Sequence, residues 1–436
     1  MRKNIVLNED QEEAVKYFKK FFKSEDRMAV LCGVGGTGKT TVIYDVFART
    51  KIINDKKKEY IPSSVIGVTV THQARINLSK SIPNTTTFAS ATNQLMGVTK
   101  NGEIYFYSSG KANWLLSELR QYKYIVVDEC SMFSQKMMDE IINCANPTAK
   151  ILYMGDHHQL PPIEREGHNN NYDSPSFSLP WKYELTKKVR QDQDSDIARL
   201  SDEVCLHIDT DYSLDFLKSL KTSWNAKTGK GYALSSFDAM IKSYVKNFKA
   251  GDEVRITSYH NEACRRINDI IRAELWGDDA FEERFVIGEY IVMSDQFNPE
   301  GIPLAYNGQT FIVEDVNEGV VDFIKCTILM VYNGQDIISL PIVHPDSERD
   351  YKIKINELKK HANRMNDWQP YMQFKNQFAN VSYAYCVTNY KIQGSTIKGC
   401  YVNLGDIMSA KYIDDRIKLQ AFYVGVSRPT HYLGLF

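Results

Sequence analysis

The chain has 436 residues, 43% hydrophobic and 25% charged, ordinary values for a globular protein with room for about two to four domains. Its 53 basic residues balance 54 acidic ones to a net charge of −1, which excludes a bulk polybasic binder, so any polyanion must be held by a local groove. Eight scattered cysteines form no C-x-x-C pair, which argues against a disulfide framework and a zinc site, and a reducing cytosol fits them best. No apolar run reaches membrane-spanning length, and the polar stretch Met1 to Gln11 does not read as a signal peptide.

In chain order, Asn8 is a good helix N-cap, and Gln11 stands where it closes a capping box. Ala14, Val15, Phe18 and Phe22 give the helix that follows one apolar face. Gln11 therefore has two open roles, as a cap or as an amide reading adenine. An apolar run, Met28 to Cys32, then leads into GVGGTGKTT, a G-x-x-x-x-G-K-T phosphate loop, and a helix-like stretch from Thr41 to Ala48. Gly33, Gly35, Gly36 and Gly38 let successive N–H groups turn inward beside Thr37 and Thr41, and the helix N-terminus favours the same anion. Lys39 is expected on the β- and γ-phosphates of ATP, and Thr40 on Mg²⁺.

Lys51 and Lys56-Lys57-Lys58 read as a solvated loop. The strand Ser64 to Val70 ends in a polar cluster containing Thr71 and His72, and a second cluster contains Thr87 and Phe88. Both invite either a phosphate or base contact or a plain helix cap. Asn101-Gly102 lies between short β-type runs, a hairpin signal, with Tyr105, Phe106 and Tyr107 beyond it. Strand alternation sets Phe106 apart from the two tyrosines, as a ring able to stack on a base. Tyr124 to Val127 reads as a buried parallel strand ending in Asp128-Glu129, a Walker B pair in which Asp128 holds Mg²⁺ and Glu129 activates water. Ile151 to Met154 is a further strand, ending in GDHHQLPP. His157-His158 is not expected to hold a metal, since adjacent side chains on an extended chain point apart.

The strings GVGGTGKTT, DECS and GDHHQLPP, in this order, resemble those of superfamily 1 DNA helicases of the RecD-like/Dda type. The resemblance continues through Glu184-Leu185-Thr186 with Arg190, Thr257 to Asn261, Thr388 to Ser395 against T-x-H-K-x-Q-G, and Tyr423 to Arg428 against Y-V-A-x-T-R. Two departures stand out. Tyr390 replaces the family histidine, and Gly425 replaces the usual alanine, an exchange expected to be sterically harmless. Pro429 directly after Arg428 forces that residue out of ordinary helical geometry.

Between Phe285 and Val381, short β-like runs (Glu289 to Met293, Gln309 to Val316, Val320 to Tyr332, Ile337 to Val343) are punctuated by Asn307-Gly308, Glu318-Gly319 and Asn333-Gly334, the pattern of a small antiparallel barrel. Asp346 to Asn380 reads as mainly helical, interrupted at Trp368-Gln369-Pro370.

The resemblance implies an α/β fold of two RecA-like P-loop NTPase domains, with a hairpin insertion in the first and an SH3-like barrel plus helical arm in the second. The expected boundaries are 1–180 for the first domain (hairpin about 92–116), 181–284 with 381–436 for the second, and 285–380 for the insertion. It implies ATP and Mg²⁺ as cofactors, with Gln159 sensing the γ-phosphate, Arg190 and Arg428 as arginine fingers, and Gln393 and Gly394 at the nucleotide. Single-strand contacts are expected from Thr71, His72, Thr87, Phe88 and Phe106 on one side and Thr257, Asn261, Thr388 and Lys391 on the other. The implied activity is 5′→3′ translocation on single-stranded DNA, with separation of forked or tailed duplexes by the hairpin. A cytoplasmic monomer is implied, with single-strand-binding or replication and recombination proteins as candidate partners. An ATP-gated single-strand-binding switch without strand separation is the alternative.

Overall fold

A computed structural model describes the chain except residues 1–5, 51–52, 55–58, 61–63, 93, 99–103, 109–116, 163–172, 188–194, 226, 300–303, 333–335, 366 and 412. Two compact units result, Met1–Asn261 with Thr388–Phe436, and Glu262–Val387.

The first unit holds two large sheets. In one, the strands run in the order Lys182–Leu185, Met28–Gly33, Lys150–Gly155, Tyr124–Val127, Val65–Thr69, Thr85–Thr87, every pair parallel. The central strands are buried almost end to end, as sheets covered by helices on both faces require. The helix Glu9–Phe21 lays Ala14, Val15, Phe18 and Phe21 onto this sheet, in one core with Val46 and Phe47 of the helix Lys39–Arg49. Lys182–Leu185 pairs with the phosphate-loop strand, so the first sheet runs past the expected boundary at 180. The hairpin forms by pairing of Gln94–Val98 with Ile104–Ser108. Its turn lies outside the described residues.

In the second sheet Ser223–Asn225, Lys230–Leu234, Pro429–Leu435, Ile397–Val402 and Val254–Ser258 follow in order, parallel except for the first pair. Helix Asp415–Val426 packs against helix Asp196–Asp209 and feeds directly into the strand that begins at Pro429.

The second unit begins within the helix Asn261–Trp276, earlier than the expected 285. Asn268 Nδ2 donates to the carbonyls of Tyr383 (3.1 Å) and Cys386 (3.0 Å), and buried Arg272 pairs with buried Glu289, which ties the helix to the insertion. Its sheet is antiparallel, in the order Ile337–Val343, Ile324–Tyr332, Thr310–Val321, Tyr290–Met293, Val381–Tyr383. Glu318-Gly319 is no turn, contrary to the sequence reading. The strand runs through it and reverses at Asp322-Phe323, both at positive φ. A Cβ at Gly319 would meet the tip of the Ile328 side chain on the facing strand, which would have to turn aside. Helices Glu348–Met365 and Gln369–Lys375 follow, with Phe374, Phe378 and Tyr351 packed on Ile324 and Cys326.

Candidate active site

The parallel register of the first sheet brings its functional strand tips to one edge. Cys32 lies opposite Gly155 and Val68 opposite Val127, so the phosphate loop, Asp128-Glu129 and Asp156 to Gln159 leave the sheet together. Gly36 and Gly38 both take left-handed φ (86° and 85°), which side-chain-bearing residues adopt only with strain. A Cβ at Gly35 would meet nothing within 4 Å, whereas one at Gly33 would press on Thr37 Oγ1 and the Leu185 carbonyl. The loop is packed on one side and open on the other. Thr40 and Thr41 stand in the first turn of the helix Lys39–Arg49, and Lys39 Nζ donates to the carbonyls of Gly33 (2.6 Å) and Val34 (3.3 Å).

Gln11 serves this loop directly. Its Oε1 accepts from Asn8 N, completing the capping box, and its Nε2 donates to Thr37 O at 2.9 Å. The neighbouring Asp10 carboxylate accepts from the backbone N–H of Thr186 (2.9 Å) and Lys187 (3.2 Å), holding the chain that leads on to Arg190. Arg190 itself lies outside the described residues.

Asp128 follows its strand with its carboxyl accepting from Glu129 N at 2.9 Å. Burial, and then the adjacent Glu129 carboxylate, push the Asp128 carboxyl up, against the pull of Lys39. Two acidic oxygens crowded at a strand tip, with the Thr40 hydroxyl on the facing helix, are hard donors suited to a divalent cation. Glu129 has φ +54°, a left-handed conformation rare outside glycine, and such strain concentrates at functional positions.

The second sheet meets these tips. Asn77 Nδ2 donates to Gly394 O at 2.6 Å, and a Cβ at Gly394 would stand 3.5 Å from Glu129 Oε1. Gln393 is only 1% exposed, and neither its amide nitrogen nor its oxygen has a hydrogen-bond partner among the described residues. The same holds for Oε1 of Gln159, at 4% exposed. A buried polar atom left unpaired costs about 1–3 kcal/mol, so these groups call for a partner that the described residues do not supply. Arg428 is turned onto its own domain, donating to Val424 O (3.1 Å), Ser427 Oγ (2.9 Å) and Ser395 O (3.4 Å).

Two expected strand contacts are corrected. Phe88 is 0% exposed and packs edge-on against Phe133, so it offers no face to a base. His72 is 4% exposed and accepts from Arg75 Nε at 3.2 Å, and burial together with that guanidinium pushes its imidazole down to about 3. Thr71 caps the following helix through Ala74 N, and Thr87 Oγ1 accepts from Ser90 N. Thr257 and Thr388 are buried, with hydroxyls unpartnered among the described residues, while Asn261 and Lys391 are half-buried. Phe106 lies on the second strand of the hairpin, opposite Met96. Tyr390 is buried.

Glycine fits at 425. A Cβ there would stand 2.6 Å from Val402 Cγ2 and 3.3 Å from Thr257 Oγ1, so the family alanine would be crowded here.

The charged cluster behind Gln159 was not foreseen. Buried Asp156 accepts from Tyr423 OH (2.6 Å) and His158 N (3.1 Å) and bonds His158 Nδ1 (3.0 Å). His158 Nε2 reaches Asp209 at 3.0 Å. Burial works against a charged His158, but the Asp156 hydrogen bond and the nearby Cys205 outweigh it and push the imidazole up to about 11. Asp156, His157 and His158 offer ligand atoms within 4.8 Å of one another, and the two histidine rings lie 3.9 Å apart, so these adjacent side chains do not point apart as the sequence led us to expect.

Residues 6–214 match the family described as an AAA domain. The chain is similar to the ATP-dependent DNA helicase dda of Enterobacteria phage T4, 24% identical over 464 residues that cover 97% of each protein. It is similar to the RecBCD enzyme subunit RecD of Buchnera aphidicola subsp. Acyrthosiphon pisum, 26% identical over 243 residues, 50% of this chain and 38% of that one. Among solved structures it is similar to a Pif1 helicase described as unwinding forked dsDNA, with TM-score 0.57 and 15% identity over 99% of this chain and 92% of the other. The Bacteroides Pif1 helicase in complex with ADP-AlF3 and ssDNA gives TM-score 0.55, 15% identity and the same coverage. At such identities the structural likeness shows the fold.

Proposed function

We infer that this chain is an ATP-dependent DNA helicase of the superfamily 1 Dda and RecD type, acting on single-stranded DNA. The observation that carries this reading is the pair of buried, unpaired amides, Gln159 from one sheet and Gln393 from the other, beside the phosphate loop. The Gln393 amide and Oε1 of Gln159 have no hydrogen-bond partner among the described residues, and a γ-phosphate with its attacking water would supply both.

In this reading the inward N–H groups of residues 33–38 cradle the phosphates, and Lys39 leaves the Gly33 and Val34 carbonyls for the β/γ oxygens. Thr40 and Asp128 would hold Mg²⁺, which when bound neutralises charge on the transferring phosphoryl group. Glu129, fixed by its left-handed backbone, orients water and accepts its proton. Arg428 must release its carbonyls and swing to the γ-phosphate, so hydrolysis belongs to a tighter closure of the two sheets than the resting geometry. A strand held by both domains would then step 5′→3′ as the cleft opens and closes, with the Phe106 hairpin parting the duplex ahead of it.

ATP turnover with and without a single-stranded oligonucleotide tests the reading. Wild type should be strongly stimulated, Lys39→Ala should be silent in both conditions, and Arg428→Ala should lose kcat with little change in KM. Near-normal turnover by Lys39→Ala would overturn it.

A further inference from the structure

The helix Asp415–Val426, which leads to Arg428, is tied to the first sheet along one face. Arg416 NH2 donates to Asp173 Oδ1 (2.6 Å), Gln420 Nε2 to His157 O (3.2 Å) and Tyr423 OH to Asp156 Oδ2 (2.6 Å). Positions 416, 420 and 423 recur at helical spacing, so this face is a built contact. Its central bond is unusual, because Asp156 is a fully buried carboxylate. The backbone carbonyl of Asp156 accepts from Gln159 N at 3.1 Å, and Tyr423 lies in the last turn of the helix, five positions before Arg428, which follows just past the helix end. One carboxylate thus lies one turn from the γ-phosphate amide and one hydrogen bond from the finger helix.

Behind it, His158 spans Asp156 and Asp209, and its ring lies 3.9 Å from that of His157, which also reaches Asp209 at 3.3 Å. Asp209 ends the helix Asp196–Asp209, the element against which the finger helix packs. The carboxylate is therefore clamped from both sides by the second motor domain, through a phenol and through an imidazole.

We propose that Tyr423, Asp156, His158 and Asp209 form a latch between the two motor domains that sets Gln159 against Arg428, so that binding of ATP is transmitted to the grip on the strand. The four are positioning residues for the hydrolysis inferred above, on which the proposal rests. With the latch intact, a shift of Gln159 toward a γ-phosphate moves Asp156, and Asp156 draws on the helix that leads to Arg428. Without it the sheets can still meet through Asn77 and Gly394, but Gln159 and the finger helix move independently.

The test uses Tyr423→Phe, which removes one hydroxyl and keeps the ring, and Asp209→Asn, which keeps an acceptor at a half-exposed site and removes the charge. The affinity for a fluorescent single-stranded oligonucleotide is measured with and without a non-hydrolysable ATP analogue, beside kcat, KM for ATP and melting temperature. Wild type should show an analogue-dependent change in strand affinity, and each variant should shrink it by about fivefold or more, within the usual range of allosteric couplings. kcat should fall roughly tenfold, the effect of losing a hydrogen bond to a charged group, while KM stays within about twofold. The double variant should be no worse than the poorer single one, because both break the same connection. Wild-type coupling and kcat in both variants would overturn the latch. So would a parallel fall in kcat, ATP affinity and melting temperature, which would make the cluster a packing feature. A wild-type protein that hydrolyses ATP yet shows no analogue-dependent strand affinity would overturn the latch alone, and one that does not hydrolyse ATP would remove the inferred function with it.

Discussion

Gln393→Met separates ligand binding from structure by moving stability and activity in opposite directions. Methionine matches the length and volume of glutamine but brings no amide, and the site it enters is 1% exposed with neither amide atom partnered among the described residues. Relief of that unpaired burial is worth about 1–3 kcal/mol in the nucleotide-free protein. In a protein of this size each kcal/mol moves the melting temperature by about 2 °C, so the variant should melt about 2–6 °C higher. With nucleotide bound, the same change removes a hydrogen bond to a charged group, about 1.5–3 kcal/mol, which lowers kcat/KM for ATP by about 10- to 150-fold. Thermal melting without nucleotide and steady-state turnover on saturating single strand measure the two effects on one preparation. A lower melting temperature with kcat/KM retained would show that the amide serves the fold, and the assignment of Gln393 to the nucleotide would fail.

Glu129→Gln should cut hydrolysis by about 10²–10⁴-fold, the worth of a general base, yet bind ATP at least as tightly, because the charge crowding Asp128 is gone; loss of nucleotide binding would instead make Glu129 structural. Gly425→Ala gains about 1 kcal/mol of helix propensity but forces a methyl to within 2.6 Å of Val402, an overpacking cost of about 1–3 kcal/mol, so denaturant unfolding should show a net loss of up to about 2 kcal/mol. Net stabilisation there would contradict the packing. Asp406 accepts from Ser258 Oγ, Tyr259 N and His260 N and bonds His260 Nδ1. Although burial opposes its charge, the bonds from His260 and Ser258 hold its carboxyl below the usual carboxylate range. Its folded value lies below its unfolded one, so its stabilisation is complete above about pH 4 and is lost as pH falls through the folded value. Asp406→Asn should flatten that acid limb, and an unchanged acid unfolding profile would contradict it.

How much of this was legible in the sequence varies by kind of signal. The phosphate loop, Asp128-Glu129 and the strand before Gln159 are local patterns in which glycine, charge and apolar run dictate backbone form, and each lies where its pattern predicts. His72 and Phe88 misled because a polar cluster at a strand tip does not reveal which neighbouring ring turns into the core. Phe88 found Phe133, and His72 found Arg75. Glu318-Gly319 has the composition of a turn, but the strand runs through it and turns at Asp322-Phe323. The latch was invisible for a different reason. Tyr423 and Asp156 are 267 residues apart, and no local rule relates them.

Strand displacement on 5′-tailed, 3′-tailed and blunt duplexes, with ATP and a trapping strand, tests the central claim most directly. Product from the 5′-tailed duplex alone, and none with Lys39→Ala, is the predicted result. Strand-stimulated ATP turnover without displacement of any duplex would contradict it, leaving an ATP-gated clamp on single-stranded DNA in place of a helicase.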